Sequence, residues 1–284
     1  YWERTALRAE PFPERMEDIF AWVDPDGPAP ARAAVDLALH DYLSRKLGRP
    51  LFAALGLPAP ARKASSYTIS VDTPEFMAAE ARRLKNLPIL KLKLAGDEED
   101  MRRLEAVRAA RPDARIFADA NAGWSLSQAL EYLPTLEKAS LEMLEQPLPA
   151  DEIEGLGEVQ AKTAIAIVAD ESLQKPDDLS RLARAGVRGV NIKLMKVGGV
   201  SPALDLMRRA RAAGMSVLLG CMIETSLGLT AAAHLAGLAD WLDLDACLLV
   251  VNDPFEGMGF GEDAVIGVPE RPGIGARRVE AADA

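Results

Sequence analysis

Residues 89–94 read Ile89-Leu90-Lys91-Leu92-Lys93-Leu94, an alternating run with Leu90, Leu92 and Leu94 on one face and Lys91 and Lys93 on the other. Alone, a Lys-x-Lys strand most often marks a solvated face. The neighbouring sequence changes that reading. Apolar or β-branched runs recur at 65–71, 89–94, 115–119, 141–146, 166–170, 189–194, 216–220 and 243–249, and helix-like stretches such as 73–84, 97–111, 125–136, 202–213 and 226–239 lie between them. Strand followed by helix, repeated about every 25 residues, predicts parallel strands with crossovers, and eight of them predict a closed α/β barrel. A doubly wound open sheet is the weaker alternative, because no Gly-rich phosphate loop follows the first strand. If the leucines pack on the surrounding helices, the two lysines point into the barrel.

The chain has 284 residues, which suits a barrel of about 250 residues with a small appendage. Residues 1–62 read differently from the rest. Ala29-Pro30-Ala31 leads into an Ala-rich helix expected over 33–46, ended by Gly48-Arg49-Pro50, and Pro58 and Pro60 mark a boundary. The last strand is followed by Gly257-Met258-Gly259-Phe260-Gly261, then Pro269, Pro272 and Gly273, in place of a final helix. The expected division is therefore a small segment over 1–62, a barrel over 63–255, and a tail over 256–284 that packs back on the first segment. The chain opens at Tyr1-Trp2-Glu3-Arg4 without a Met, so an earlier part of the first segment is expected to be missing.

The net charge is −10 and no basic stripe is present, which argues against nucleic acid or an anionic membrane as a partner. No apolar run approaches the roughly 18 residues of a membrane span, and no signal peptide is evident. Cys221 and Cys247 read as two small buried residues in a reducing compartment, and a cytoplasmic location is expected.

Chemistry is concentrated where polar residues interrupt the strands. The third run ends Phe117-Ala118-Asp119-Ala120-Asn121, the fourth Leu144-Glu145-Gln146-Pro147, the fifth Ala169-Asp170-Glu171-Ser172, and the sixth reads Val190-Asn191-Ile192-Lys193-Leu194. Each charge lies at the C-terminal end of its strand, where barrel enzymes place their active sites. Three carboxylates at one mouth repel one another; a divalent cation relieves this, and an all-oxygen set without nearby His or Cys favours Mg²⁺ over zinc. Lys93 and Lys193, on strands two and six, lie across the mouth from each other, so two amines approach a bound carbon from opposite sides. A free lysine is a poor base near neutrality, but a neighbouring cation, such as Lys91 or the metal, lowers its pKa.

At these residues the sequence resembles the enolase superfamily, and within it the muconate-lactonizing subgroup. The resemblance covers the barrel through Lys91-x-Lys93, Asp119-Ala120-Asn121, Glu145-Gln146-Pro147, Asp170-Glu171-Ser172 and Lys193-Leu194-Met195-Lys196-Val197-Gly198-Gly199. It implies a (β/α)7β TIM-like barrel with a partial α+β capping domain built from the N-terminal segment and the C-terminal tail. It implies one Mg²⁺ held by Asp119, Glu145 and Asp170, an enediolate formed on proton loss, Lys93 and Lys193 as the acid/base pair, and Lys91 as an electrostatic aid. A homo-oligomer is expected by the same analogy alone.

Within the subgroup, Trp241-Leu242-Asp243-Leu244-Asp245-Ala246 discriminates. Asp243 and Asp245 are two residues apart with no Lys or Arg near them in sequence, which suits a substrate with a free α-ammonium. They resemble the Asp-x-Asp signature of dipeptide epimerases, and Cys221-Met222-Ile223-Glu224-Thr225 also resembles that group, making Met222 and Glu224 substrate-binding candidates. The resemblance implies 1,1-proton transfer on a dipeptide, with alanyl-glutamate from peptidoglycan turnover as the default substrate. The bland alternative for Asp243 and Asp245 is that they cap a loop. Other readings are an N-succinylamino acid racemase or o-succinylbenzoate synthase of the same superfamily, a Schiff-base aldolase using Lys193, and a non-catalytic binding protein. His40 and His234 read as ordinary helix residues, Trp124 as loop packing, Lys196 as facing either the site or solvent, with solvent or a structural role preferred, and Asn121 and Glu171 as residues that orient the ligands.

Overall fold

The computed structural model describes residues 11–60 and 62–279; the opening Tyr1–Arg4 and the last residues of the tail lie outside these. Eight parallel strands run in chain order around one sheet: β1 (Tyr67–Ile69), β2 (Ile89–Lys93), β3 (Arg115–Asp119), β4 (Met143–Glu145), β5 (Ala166–Ala169), β6 (Gly189–Lys193), β7 (Ser216–Gly220) and β8 (Trp241–Asp243). Crossover helices follow, at Pro74–Arg83, Asp100–Ala110, Leu126–Lys138, Ile153–Lys162, Pro176–Ala185, Val200–Ala212 and Ser226–Ala233. Local sequence sets their ends. Thr73 caps the first of these helices, Ser125 and Gln128 form a capping box on the third, and Gly186 ends the fifth at φ +86°. The alternation in the strands sorts the two faces. Leu90, Leu92, Ile116, Ala118, Leu144, Ile167, Val190, Ile192, Val217 and Leu219 turn outward into the main core against the helices. Ile89, Phe117, Met143, Val168 and Leu218 turn inward and form a second, separate core, with Trp241 packed against it. That inner cluster is the floor of the barrel, and the polar mouth lies two residues further along the same strands.

The eight-stranded barrel with its appended segments is the architecture the sequence predicts. Its closure is unusual in one respect. Backbone ladders join each strand to the next from β1 to β8, but β8 meets β1 through a seam. There the Ser66 amide donates to the Leu242 carbonyl (2.9 Å), the Leu244 amide donates to Ser65 Oγ (2.8 Å), and the Thr68 amide donates to the Asp245 carboxylate (2.7 Å).

Three boundaries differ from expectation. The last strand covers Trp241–Asp243, not 243–249, because Asp245 turns into helical backbone (φ −92°, ψ −1°) and starts a 3-10 turn at Ala246–Leu248. The stretch expected as one helix over 226–239 is a helix at Ser226–Ala233 and a 3-10 turn at Ala236–Leu238. His234 sits at the break, accepting from the Phe52 amide and bonded to the Ile274 carbonyl. The helix expected from residue 33 begins at Ala29, since Pro30 fits a first turn.

The tail forms two short antiparallel pairs: Phe255–Glu256 with Arg277–Arg278, and Gly259–Phe260 with Ile266–Gly267. It meets the N-terminal segment where the Leu51 amide donates to Gly273 O, Gly273 N donates to Arg49 O, and Ile274 N donates to Asp41. No helix among the described residues is long and apolar enough to cross a membrane.

Candidate active site

The strand register brings the predicted residues to one end of the barrel. Lys93 pairs across to Asp119, and Asp119 to Glu145. Lys193 pairs with Gly220, and Gly220 with Asp243. A cavity of about 510 Å³ opens at this end, and its walls include Lys91, Lys93, Asp170, Lys193, Asp243, Asp245 and Met222. Asp119 and Glu145 lie beneath it, fully buried.

Lysines hold the carboxylates one by one. Lys91 is the central cation, with Nζ 2.7 Å from Asp243, 2.7 Å from Glu145 and 3.2 Å from Asp119. Burial alone would lower its pKa; Asp243, Glu145 and Asp119 outweigh that and hold it well above the usual lysine value. Lys93 Nζ donates to Asp119 at 2.6 Å and to Asn121 Oδ1 at 3.2 Å. Lys193 Nζ donates to Asp170 at 2.6 Å; burial works against its charge, but Asp170 and Glu145 prevail and raise its pKa. Burial also opposes ionisation of Asp119 and Asp170, yet both are held below the usual carboxylate range, Asp119 by Lys91 and Lys93, and Asp170 by Lys196 and Lys193.

Glu145 differs from its neighbours. Burial, with Asp119 and Asp170 close by, pushes its carboxyl up to about 8. Asn191 donates to its Oε1 at 2.6 Å, and the absence of a Cβ on Gly220 leaves room for the Asn191 amide, which such a carbon would meet at 2.5 Å. Oε2 of Glu145 is buried without a hydrogen bond; the nearby Lys91 ammonium gives an ion pair without hydrogen-bond geometry. Among the described residues no three acidic, His or Cys side chains converge on one metal position in this arrangement, since each carboxylate turns to a lysine. The donor set nevertheless fits a hard divalent cation. It is all oxygen, it comes from three successive strands, and in Glu145 it contains a carboxyl with one oxygen buried without a hydrogen bond.

Asp243 and Asp245 are both buried, but they are not free of cations and donors as their sequence surroundings suggest. Asp243 accepts from Lys91 and from Ser66 Oγ (2.6 Å), and Asp245 accepts from the Thr68 amide across the seam. None of these contacts caps a loop: Asp245 accepts from the middle of β1, and Asp243 from a lysine and a serine hydroxyl. Burial and the adjacent Asp243 push Asp245 up to about 6. Met222 faces the cavity, whereas Glu224 does not. Glu224 is tucked toward Gly228, accepts from the Met222 amide, and is pushed up to about 7 by burial.

Of the readings open for Lys196, the structure favours the site and a structural role over solvent. Lys196 is buried at the cavity wall, where it donates to the Asp170 carboxylate and to the Asp170 and Asn191 carbonyls. It follows Lys193 by one short helical turn, Leu194–Val197, which returns it to the same side. Burial lowers its pKa despite Asp170. Sequence reading also passed over Thr68, Ser70 and Gln174, which line the cavity. Cys221 and Cys247 are free and half-buried, and Cys221 lines the cavity. The Cys221-Met222 pairing was the available signal for it.

Comparison with known proteins agrees with this geometry. Residues 76–282 match the family described as enolase C-terminal domain-like. The chain is 36% identical over 271 residues to an L-Ala-D/L-Glu epimerase of Bacteroides thetaiotaomicron, covering 94% of this chain and 70% of that protein. Its structure resembles that of a dipeptide epimerase from Cytophaga hutchinsonii complexed with Mg and D-Ala-L-Val (TM-score 0.88, 32% identity, 94% and 76% of the two chains). It also resembles an N-succinyl Arg/Lys racemase from Bacillus cereus (TM-score 0.86, 29% identity, 94% and 75%). With the match spanning most of the barrel and its tail, this chain belongs to the enolase C-terminal domain-like family, in the enolase superfamily.

Proposed function

We propose that the protein is a dipeptide epimerase, an isomerase that inverts the α-carbon of the C-terminal residue of a dipeptide by moving a proton between two lysines. The observation that carries this reading is the placement of charges around the ring. In a circle of eight strands, β2 with Lys93 and β6 with Lys193 lie on one diameter. The perpendicular diameter joins β4, with Glu145, to β8, with Asp243 and Asp245 just beyond it. A dipeptide lying along the second diameter puts its carboxylate over Asp119, Glu145 and Asp170 and its ammonium against Asp243 and Asp245. Its α-carbon then sits between the two lysines. One lysine, neutral, takes the α-proton; the other, protonated, delivers a proton to the opposite face. Lys91 between Asp119, Glu145 and Asp243 holds the carboxylates apart from one another, and Lys196 shares Asp170 with Lys193.

Asp119, Glu145 and Asp170 would hold one Mg²⁺, as the Mg in related epimerase structures supports. Bound there, the ion would supply positive charge for the substrate carboxylate as negative charge develops, and would weaken the hold of these acids on the lysines.

The N-succinylamino acid racemase reading has one observation in its favour: Lys91 already pairs with Asp243, which lessens the need for a substrate ammonium. Incubating the protein with Mg²⁺ in D₂O, against a panel of dipeptides and N-acylated amino acids, separates the two. Deuterium uptake and epimerisation of free-amine dipeptides, lost in EDTA and restored by Mg²⁺, are the expected result. Turnover confined to N-acylated substrates would overturn the assignment.

A further inference from the structure

Lys93 is the least enclosed of the lysines around the cavity. Its side chain is 30% exposed, against 10% for Lys193 and 9% for Lys196. Its ammonium is held by two contacts, to Asp119 and to Asn121. Asn121 is itself in a left-handed conformation (φ +45°), followed by Ala122 in the same region (φ +61°). A partly exposed cation and a left-handed loop beside it therefore depend on support from elsewhere.

The support is one carboxylate outside the cavity. Asp100 is fully buried and accepts four hydrogen bonds: from Ala95 N (2.8 Å), Gly96 N (2.9 Å), Arg103 Nη1 (2.8 Å) and Trp124 Nε1 (2.9 Å). Ala95 and Gly96 lie two and three residues after Lys93. Trp124 lies three residues after Asn121. The same carboxylate thus ties together the loops that carry the base and its hydrogen-bond partner. The two loops touch backbone to backbone: a Cβ on Gly96 would come within 2.7 Å of Gly123 O. Arg103 extends the tie to the loop after β1, donating to Asp72 O at 2.8 Å. Lys193, across the mouth, has none of these connections and rests on Asp170, with Lys196 beside it.

We infer that Asp100, with Trp124, is a positioning pair for Lys93, so that their loss impairs proton transfer on one face of the substrate carbon and spares the other. The inference rests on the two-lysine reading above. Small displacements of a catalytic group cost rate steeply, on the order of a hundredfold per ångström.

The test is face-resolved exchange. Each stereoisomer of a dipeptide that the protein turns over is incubated in D₂O with the Mg²⁺-loaded enzyme, and the initial rate of α-deuterium uptake is read by mass. Lys93→Ala identifies the isomer whose proton faces Lys93; if it slows both isomers equally, the two-lysine reading itself fails. With that isomer known, Asp100→Asn is expected to slow its exchange by about 10- to 100-fold and the other isomer's by less than about 3-fold. Trp124→Phe removes a single hydrogen bond and keeps the packing against Tyr132, so it decides the matter if Asp100→Asn does not fold; its expected effect is about 3- to 10-fold on the same isomer alone. Equal slowing of both isomers by Trp124→Phe, or no slowing of either, would overturn the positioning role.

Discussion

The floor and the mouth of this barrel are built from the same strands, two residues apart, and they follow opposite rules. At the floor, Ile89, Phe117, Met143, Val168 and Leu218 fill the interior with apolar volume. At the mouth, Lys91, Asp119, Glu145, Asp170 and Lys193 fill it with charge. Burial stabilises the first set and opposes ionisation in the second, where Asp119, Asp170, Lys91 and Lys193 keep their charge through partners and Glu145 is pushed toward its neutral form. The floor therefore contributes stability without chemistry. The mouth holds its chemistry in side chains that no hydrophobic argument would place there.

Substitutions can sharpen that contrast. The largest effect belongs to the mouth: Lys93→Ala or Lys193→Ala should abolish epimerisation, a loss of about a thousandfold or more in turnover, with the protein still folded by circular dichroism. Normal epimerisation by both single mutants would break the division. At the floor the pattern should reverse. Phe117→Ala is expected to cost about 3–5 kcal/mol in denaturant unfolding, while the folded fraction keeps turnover within about tenfold. A smaller effect is expected where the tail meets the barrel. Burial depresses His234 to about 4, so its neutral form contributes stability above the ordinary histidine pKa of 6.5 that is lost as pH falls toward 4. The shift corresponds to about 3 kcal/mol. Asp245 and Glu224, pushed up to about 6 and about 7, titrate in the same window with the opposite sign, so the slope is read as a difference: between pH 7 and 4 the natural protein should lose stability relative to His234→Gln, measured by denaturant unfolding.

The mouth was legible in sequence because its residues repeat at one place in a repeating unit. Lys91, Lys93, Asp119, Glu145 and Lys193 each end or interrupt an apolar strand, and Asp170 follows one, so a strand count locates them. What could not be read were contacts between distant parts of the chain. Nothing within ten residues of Asp243 announces Lys91 or Ser66, which lie 152 and 177 positions away. The end of β8 was misplaced for the same reason. Leu244, Leu248 and Leu249 keep an apolar pattern after the strand, but the backbone turns at Asp245, whose carboxylate accepts from Thr68. For Lys196 sequence leaves site and solvent both open, because a single turn at Leu194–Val197 interrupts the strand-to-helix rhythm and brings it back to the wall.

The seam between β8 and β1 has a consequence of its own. Elsewhere the circle is joined by main-chain pairing, which changes of side chain leave in place. At this join, Ser65, Ser66, Asp243 and Asp245 supply much of the bonding through their side chains. Closure of the barrel is thereby exposed to single-codon change at one point of its circumference. The acids that stitch it are also those proposed to meet the substrate's amine; on that reading, variation in what the site accepts and in how firmly the ring is joined travels through the same few positions.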